Sequence, residues 1–295
     1  MIKTVFATLR PPFLLLPPVL VALGLATALA TGHTVSTTYV LLTLAGALAA
    51  HAGVNSLNEY LDFRSGLDNT THRTPFSGGS GALPGNPGAA KAVLTASVLC
   101  LLITALIGLY FVSVRGWQLA PLGLLGIVLI ISYTGWINRH PLICLIAPGL
   151  GFGPLMVIGT HFVLTGEYAL LPAVVSLVPF FLVSNLLLLN QFPDREADAM
   201  AGRRHLIIRY GTGSGVAAYL MFVLFACVVT IAAFITGMIP ATGLIALAPL
   251  MLGLLIVPAI RKNADGNPQL IPYMGMNVFV TLITPAILAA ALMLH

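Results

Sequence analysis

Long apolar segments are the feature that most restricts how this chain can fold. A helix needs about 20 consecutive apolar residues to cross the hydrocarbon core of a bilayer, and only 7% of the residues are charged, against about 25% in a soluble domain. The whole chain, residues 1–295, is therefore expected to be one domain embedded in lipid. We predict an all-α membrane protein with nine transmembrane helices, at residues 11–31, 38–57, 90–112, 117–134, 141–163, 168–190, 213–236, 240–260 and 271–293.

The positions of the basic residues support this division of the chain. If the N-terminus is cytosolic, twelve of the thirteen Lys and Arg residues fall in cytosolic segments or at a span end, and only Arg115 lies elsewhere. Because cytosolic loops are enriched in Lys and Arg, the pattern predicts a multi-pass protein of the cell (inner) membrane. These basic residues require no nucleic-acid partner. As an alternative for the first span, residues 1–31 also resemble a cleaved signal peptide.

Acidic residues are rare and concentrated in two motifs, N-E-Y-L-D-F-R-S-G-L-D (58–68) and N-Q-F-P-D-R-E-A-D (190–198). Each motif follows an even-numbered predicted span, the second and the sixth. This duplication predicts two related four-helix repeats followed by a ninth helix. The two motifs contain six of the eight acidic residues of the chain, namely Glu59, Asp62, Asp68, Asp194, Glu196 and Asp198.

Helical geometry predicts which side chains of each motif face the same way. Asn190, Asp194 and Asp198 are four residues apart, so on a helix they form one stripe. Asn58 and Asp62 repeat the same spacing. Asp68 would lie on the opposite face if the helix continued, but the glycine at position 66 is expected to end the helix and let the chain fold back.

The oxygen atoms of these side chains suit Mg²⁺, which takes one or two carboxylates, water and phosphate oxygens as ligands. Arginine binds phosphate oxygens in a bidentate manner, so a diphosphate clamp is the functional hypothesis. Ordinary solvated loops, whose Asp and Arg side chains pair with each other, are the alternative. The arginines predicted on the same face are Arg64, Arg73, Arg139, Arg195, Arg203, Arg204 and Arg209.

Weaker signals occur near the motifs and inside the spans. The run S-G-G-S-G (77–81) is either a flexible loop or a source of backbone amides near phosphate. Asn55 and Asn185 lie within spans, where hydrogen bonding between helices is the usual role and facing the site is the alternative. His51 and His161 are expected to be buried and hydrogen-bonded.

With these motifs in these places, the chain resembles the UbiA superfamily of intramembrane aromatic prenyltransferases. The resemblance covers the whole chain, with Arg10-Pro11 opening the first span. It implies a helical fold around a central cavity and Mg²⁺ bridging a polyprenyl diphosphate. By motif match, the metal and catalytic residues would be Asp62, Asp68, Asp194 and Asp198, and the diphosphate-binding residues would be Asn58, Arg73, Arg139, Asn190, Arg204, Arg10 and Tyr133.

Details of both motifs are similar to the branch that uses 1,4-dihydroxy-2-naphthoate, the menaquinone precursor. The first motif has the form N-x-Y-x-D-x-x-x-G-x-D, and residues 202–211 read G-R-R-H-L-I-I-R-Y-G. Glu59 replaces the usual first aspartate of the family, and His205 replaces a threonine. The expected activity is Mg²⁺-dependent transfer of a polyprenyl group to an aromatic acceptor.

Other acceptors and other classes of protein remain open at this point. The acceptor could be 4-hydroxybenzoate, a glycerol-phosphate lipid or a tetrapyrrole. A secondary transporter would instead place its carboxylates near mid-span, and a CDP-alcohol phosphotransferase would need a D-G-x-x-A-R motif, which the sequence lacks.

Overall fold

The computed structural model describes residues 1–69, 71–264 and 268–295. Within these residues the regular secondary structure is entirely helical. The α-helices, in chain order, are α1 (Ile2–Thr8), α2 (Leu16–Ala30), α3 (Thr37–Ser65), α4 (Ala82–Gly85), α5 (Ala90–Arg115), α6 (Ala120–Tyr133), α7 (Pro141–Leu150), α8 (Met156–Thr165), α9 (Leu170–Val175), α10 (Leu177–Met200), α11 (Leu206–Tyr210), α12 (Thr212–Ile235), α13 (Leu247–Lys262) and α14 (Ile271–Met293).

Short helical turns connect or extend these elements. One of them, Gly151–Leu155, is a π-helical turn that joins α7 to α8 into a continuous helical segment. The others are 3₁₀ turns, at Pro11–Leu15, Leu67–Asn69, Pro87–Ala89, Trp117–Leu119, Ile137–Arg139, Ala241–Ala246 and Pro268–Leu270.

Eight helical segments of the described residues are long and apolar enough to cross a membrane. They coincide with eight of the nine predicted spans, so the chain is a multi-pass membrane protein. The predicted span 117–134 forms a shorter apolar helix, Trp117–Tyr133, which is at the lower limit of length for crossing a bilayer. The count of nine spans and the four-helix repeats therefore stay predictions.

The helices that carry the acidic motifs extend beyond their apolar segments. The predicted spans ended at residues 57 and 190, whereas α3 runs to Ser65 and α10 runs to Met200, through Pro193. Helix through both motifs, ending at Gly66 in the first, is what the four-residue spacing and the glycine predicted. Because helical hydrogen bonding continues past the end of the apolar run, the carboxylates stand on ordered helix ends.

The helices enclose a central cavity, which agrees with the expectation from the family resemblance. Contacts between α3 and α5, between α2 and α14, and between α10 and α12 are among the most extensive in the fold. Leu20 and Leu23 of α2 are fully buried, whereas Leu106 of α5 and Leu124 of α6 are each 65% exposed. These outward-facing apolar side chains are suited to contact with lipid.

Two glycines allow α10 to approach the α7–α8 segment closely. A Cβ atom on Gly149 would lie 2.2 Å from the carbonyl oxygen of Phe180, and one on Gly153 would lie 2.6 Å from that of Ser176. Small residues at such crossings let helix backbones approach within membranes. This packing fixes α10, and with it the second acidic motif, against the central cavity.

Candidate active site

The first motif presents its side chains from the end of α3 and from the turn that follows. Gly66 ends the helix with a φ of 81°, a left-handed conformation that favours glycine. The next residues form the 3₁₀ turn Leu67–Asn69, which returns Asp68 to the side of Asp62. Both carboxylates are buried, with 4% and 8% of the residues exposed. The predicted reversal at Gly66 is confirmed.

The second motif presents its side chains from the last turns of α10. Asn190, Asp194 and Asp198 line one pocket, as their four-residue spacing predicted. Asp198 is buried, whereas Arg195 and Glu196 on the opposite side of the helix are exposed. The helical period therefore separates the inward carboxylates from the solvated charges.

Both motifs meet at a single polar pocket of about 110 Å³. Its walls include Asp62 and Asp68 from the first motif and Asp194 and Asp198 from the second. The sequence predicted that the two motifs would converge, although they lie more than 100 residues apart. Of the other predicted site residues, the pocket is lined by Asn58, Asn190, Arg10 and Tyr133.

Arg203 links the two motifs directly. Its Nη1 atom lies 2.8 Å from Oδ1 of Asp198, and its Nη2 atom donates a hydrogen bond to Oδ1 of Asp62. Although burial disfavours its charge, the carboxylates of Asp62 and Asp198 raise the pKa of Arg203. His205 approaches the same cluster, with Nε2 3.1 Å from Oδ2 of Asp198.

The glycine-rich segment 77–81 forms part of the same wall. The backbone amide of Gly78 donates to Oδ2 of Asp194 at 3.1 Å, and the amide and hydroxyl of Ser80 donate to the two carboxylate oxygens of Glu59, each at 2.7 Å. Gly78 and Gly79 have positive φ angles, which glycine adopts readily. This segment is thus a loop of defined conformation whose backbone amides donate hydrogen bonds to carboxylates.

Glu59 holds Arg10 in place as well as the loop. The Nη2 and Nε atoms of Arg10 lie 2.7 and 2.8 Å from Oε1 of Glu59. Glu59 is 1% exposed and does not line the pocket, whereas Arg10 does. Arg10 is the only described non-glycine residue with a positive φ, 53°. Glu59 therefore acts on the pocket through Arg10.

Three predicted diphosphate-binding residues do not line the pocket. Arg73 is exposed, and its Nη2 atom donates to the backbone carbonyl of Asp68 at 2.6 Å. Arg139 and Arg204 are exposed as well. The pocket is lined instead by the neighbouring Asn138 and Arg203. Residues 138–139 and 203–204 lie in turns or loops, where no helical period indicates which of two adjacent side chains points inward.

Two buried carboxylate oxygens at the pocket have no hydrogen-bond partner. They are Oδ2 of Asp68 and Oδ1 of Asp194. Burial, together with the nearby carboxylates of Glu59 and Asp62, raises the pKa of Asp68 to about 7. A cation bound between these oxygens would give each of them a partner and would reduce the repulsion between the carboxylates. The donor set therefore fits a hard cation such as Mg²⁺.

The protein supplies an incomplete coordination shell for such a cation. In the described part of the chain, no three His, Cys, Asp or Glu side chains come together closely enough to hold a metal ion. Mg²⁺ commonly binds through one or two carboxylates while water and substrate phosphates complete its octahedron. This site therefore suits a cation that arrives with a phosphate ligand.

A second and larger cavity of about 380 Å³ continues from the polar pocket into the helices. It is lined mainly by apolar side chains of α2, α3, α5, α6, α10 and the α7–α8 segment. The two cavities share a boundary formed by Arg10, Asn58, Phe76, Tyr133, Leu187 and Asn190. A ligand with a charged head and an apolar tail would match this arrangement.

The other polar residues within the spans have different surroundings. Asn55 lines the large cavity and donates to the carbonyl of Leu9 at 3.0 Å, whereas Asn185 is fully buried and donates to the carbonyl of Tyr219 at 2.9 Å. His161 is buried and lies 3.0 Å from the hydroxyl of Thr27. His51 is buried, but its Nδ1 atom has no hydrogen-bond partner, so the prediction that it is hydrogen-bonded was wrong for that atom.

Fold and site together define a multi-pass membrane protein with a carboxylate-lined pocket at the end of an apolar cavity. The UbiA prenyltransferase family matches residues 15–292. The chain belongs to that family, as the motifs predicted.

Two curated relatives carry the same name, 1,4-dihydroxy-2-naphthoate octaprenyltransferase. The protein from Bacillus subtilis (strain 168) is 29% identical over 163 residues, which cover 53% of this chain and 50% of the relative. The protein from Haemophilus influenzae is 30% identical over 173 residues, which cover 55% of this chain and 54% of the relative. The chain thus spans about half the length of the curated relatives it matches.

The fold is also similar to a solved structure. A UbiA homolog from Archaeoglobus fulgidus bound to GPP and Mg²⁺ superimposes with a TM-score of 0.69. The similarity covers 99% of this chain and 100% of that one, at 14% sequence identity. At this identity the likeness concerns the fold.

Proposed function

We propose that this protein transfers a polyprenyl group from its diphosphate to an aromatic acceptor, 1,4-dihydroxy-2-naphthoate, in a Mg²⁺-dependent reaction. The observation that carries the proposal is the continuity of the two cavities. A pocket with four aspartates and two arginines opens onto an apolar cavity that is more than three times larger. A prenyl diphosphate has this same division between charge and hydrocarbon. The names of the two curated relatives support the choice of acceptor.

The carboxylates of the pocket are the proposed metal ligands. Asp68 and Asp194 carry the oxygens that lack partners, and Asp62 and Asp198 stand beside them. When bound, Mg²⁺ would neutralise the diphosphate and make it a better leaving group. The solved relative bound to GPP, a prenyl diphosphate, and Mg²⁺ supports this cofactor.

The arginines of the pocket are proposed to stabilise the departing diphosphate. Arg10 lines both cavities, so its guanidinium borders the point where the carbon–oxygen bond of the substrate would break. Arg203 would exchange its carboxylate partners for phosphate oxygens, which it can bind in the same bidentate manner. Fixed charges placed where charge develops are a major source of catalysis.

The remaining steps take place at the boundary of the two cavities. As the bond between C1 and the diphosphate oxygen breaks, its electron pair leaves with the diphosphate and an allylic cation remains. The ring carbon that bears the carboxylate forms a new bond to C1 of the cation. The carboxylate then leaves as CO₂, and the electron pair of its bond to the ring restores the aromatic system. The apolar lining would hold the isoprenoid tail and exclude water that would otherwise capture the cation.

A membrane location follows from the spans, and the proposed side is the cytosol. The convergence of the two motifs on one pocket supports the view that they lie on the same side of the membrane. The excess of Lys and Arg in the corresponding segments favours the cytosolic face of the cell membrane. A secondary transporter is less favoured because the carboxylates lie at the ends of α3 and α10 and not at mid-span.

The test is a transfer assay with the purified protein. Mg²⁺, a labelled polyprenyl diphosphate and 1,4-dihydroxy-2-naphthoate should give a labelled, lipid-soluble quinol, and EDTA should abolish its formation until Mg²⁺ is restored in excess. Competition with 4-hydroxybenzoate, a glycerol-phosphate lipid and a tetrapyrrole would identify the preferred acceptor. Failure to form product with any aromatic acceptor, in membranes as well as in detergent, would refute the proposal.

A further inference from the structure

The large apolar cavity contains polar atoms that its proposed isoprenoid ligand cannot satisfy. His51 of α3 and Thr160 of α8 both line the cavity, and they are 7% and 2% exposed. The Nδ1 atom of His51 and the Oγ1 atom of Thr160 are buried and have no hydrogen-bond partner. Buried polar atoms in folded proteins are nearly always paired, so these two atoms indicate a polar ligand or a bound water.

An aromatic surface stands beside the unpaired histidine. The ring of Phe152 packs edge-on against the ring of His51, with a centroid distance of 4.7 Å and an interplanar angle of 70°. Phe152 lines the same cavity and belongs to the π-helical turn Gly151–Leu155. Such turns occur frequently at functional sites, and aromatic pairs favour this kind of edge-to-face contact. The pair therefore offers both a hydrogen-bonding atom and a ring face.

The position of His51 along α3 places it deeper in the large cavity than the residues of the first acidic motif. His51, Asn55, Asn58 and Asp62 are separated by four, three and four residues, so they share one face of the helix. With a rise of 1.5 Å per residue, His51 lies about 10 Å from Asn58 and about 16 Å from Asp62 along the axis. A bicyclic ring held by His51 would therefore lie in the large cavity, between His51 and the boundary at which the bond to C1 forms.

We propose that His51, Thr160 and Phe152 form the subsite that recognises a hydroxylated aromatic ring. His51 would exchange a hydrogen bond with a ring hydroxyl, Thr160 would bind a second polar group, and Phe152 would pack against the ring. The inference rests on the proposed function, since it assumes that an aromatic acceptor enters this cavity. It assigns to the acceptor a part of the cavity that is distinct from the diphosphate pocket.

The experiment compares two ligands and two matched variants of the full chain. The affinity for 1,4-dihydroxy-2-naphthoate and for 2-naphthoate, which lacks both hydroxyls, is measured by ligand fluorescence without prenyl diphosphate. His51→Phe removes the hydrogen bond and keeps an aromatic ring. His161→Phe is the control, because His161 is also a buried histidine within a span but does not line the cavity.

The expected result is a loss of about 10-fold in affinity for the dihydroxy ligand in His51→Phe, the size expected when a buried hydrogen bond is removed. Affinity for 2-naphthoate should not change, and His161→Phe should behave as wild type. In the transfer assay, the KM for the naphthoate should rise while the KM for the prenyl diphosphate stays the same. His51→Asn, which retains hydrogen-bonding capacity, should recover part of the affinity.

Three outcomes would overturn the inference. The first is an unchanged preference for the dihydroxy ligand in His51→Phe, which would indicate that water occupies the site. The second is a raised KM for the prenyl diphosphate, which would assign the position to the isoprenoid tail. The third is no binding of either ligand by the wild type. Should His51→Phe fail to fold, Thr160→Val, which keeps the shape of the side chain, is used in its place. It too should lose affinity for the dihydroxy ligand and keep its affinity for 2-naphthoate.

Failure of the proposed function gives a different pattern. If the wild type binds the dihydroxy ligand through His51 but transfers no prenyl group to it, the subsite stands and the transfer reaction is wrong.

Discussion

The guanidinium of Arg203 supplies a positive charge between the two acidic motifs. It pairs with one carboxylate from each motif, Asp62 and Asp198. Removing one partner of a buried ion pair leaves the other charge uncompensated, which costs several kcal/mol. The ion pairs of Arg203 are therefore expected to stabilise the arrangement of the two motifs.

This role leads to a prediction for Arg203→Gln. We expect a lower melting temperature without Mg²⁺, a larger stabilisation on adding Mg²⁺ than in the wild type, and a transfer rate reduced by about 100-fold because the leaving group loses a cationic partner. Arg204→Gln should have a smaller effect, and Arg261→Gln, an exposed arginine of α13, serves as the control. Thermal unfolding with and without Mg²⁺ measures the first two effects. Equal behaviour of the Arg203 and Arg261 variants would contradict this role.

Glu59 illustrates a residue that acts through others. Its carboxylate accepts hydrogen bonds from Arg10 and from Ser80 of the glycine-rich segment. We expect Glu59→Gln to reduce turnover by about 10-fold, since the neutral amide loses a charge-assisted bond of roughly 1.5–3 kcal/mol. Glu196→Gln, the change of an exposed glutamate on α10, is the matched control. Identical turnover numbers for the two variants would show that Glu59 does not influence the reaction through Arg10.

At the scale of the elements, the ends of α3 and α10 decide the shape of the pocket. Both helices continue past their apolar segments, and α3 then stops at Gly66 so that Asp68 can return toward Asp62. The left-handed conformation of Gly66, with φ of 81°, costs about 1 kcal/mol or more for a residue with a Cβ atom.

Gly66→Ala is therefore predicted to lower the free energy of unfolding by about 1 kcal/mol and to weaken activation by Mg²⁺, because Asp68 would move. The Mg²⁺ concentration for half-maximal transfer measures the second effect. Gly85→Ala is the control, since Gly85 lies at the end of α4 with open space around it and no positive φ. A normal Mg²⁺ requirement in Gly66→Ala would show that the glycine reversal is dispensable.

At the scale of the whole molecule, the large cavity is the proposed site of the isoprenoid tail. Gly123 of α6 lines this cavity, and a Cβ atom there would meet nothing within 4 Å. A large side chain at this position would fill space that the proposed tail occupies. The neighbouring Leu124 points away, with 65% of the residue exposed.

We predict that Gly123→Phe shortens the longest prenyl chain transferred by at least one isoprene unit, while Leu124→Phe leaves it unchanged. Mass spectrometry of the products formed from a mixture of prenyl diphosphates gives the chain length directly. Unchanged product lengths in both variants would mean that the tail follows another path.

The sequence by itself determined the membrane class, the positions of eight of the nine predicted spans, the two acidic motifs and the face on which each presents its side chains. These follow from local rules, because the apolar length, the 3.6-residue period and the glycine at position 66 act within a few turns of helix. The concentration of carboxylates in two motifs of an apolar chain also led to the expectation of one shared cation site, and the family resemblance implied the same.

Only the tertiary structure decided which basic residues enter the pocket. The segment after α10 has no regular period, so the sequence could not show whether Arg203 or Arg204 faces the carboxylates. The course of this segment depends on packing, including the hydrogen bond from the amide of Arg204 to the carbonyl of Asn138. The role of Glu59 as a partner of Arg10 and the unpaired Nδ1 of His51 likewise depend on residues far away in the chain. Long-range packing, and not local spacing, sets these contacts.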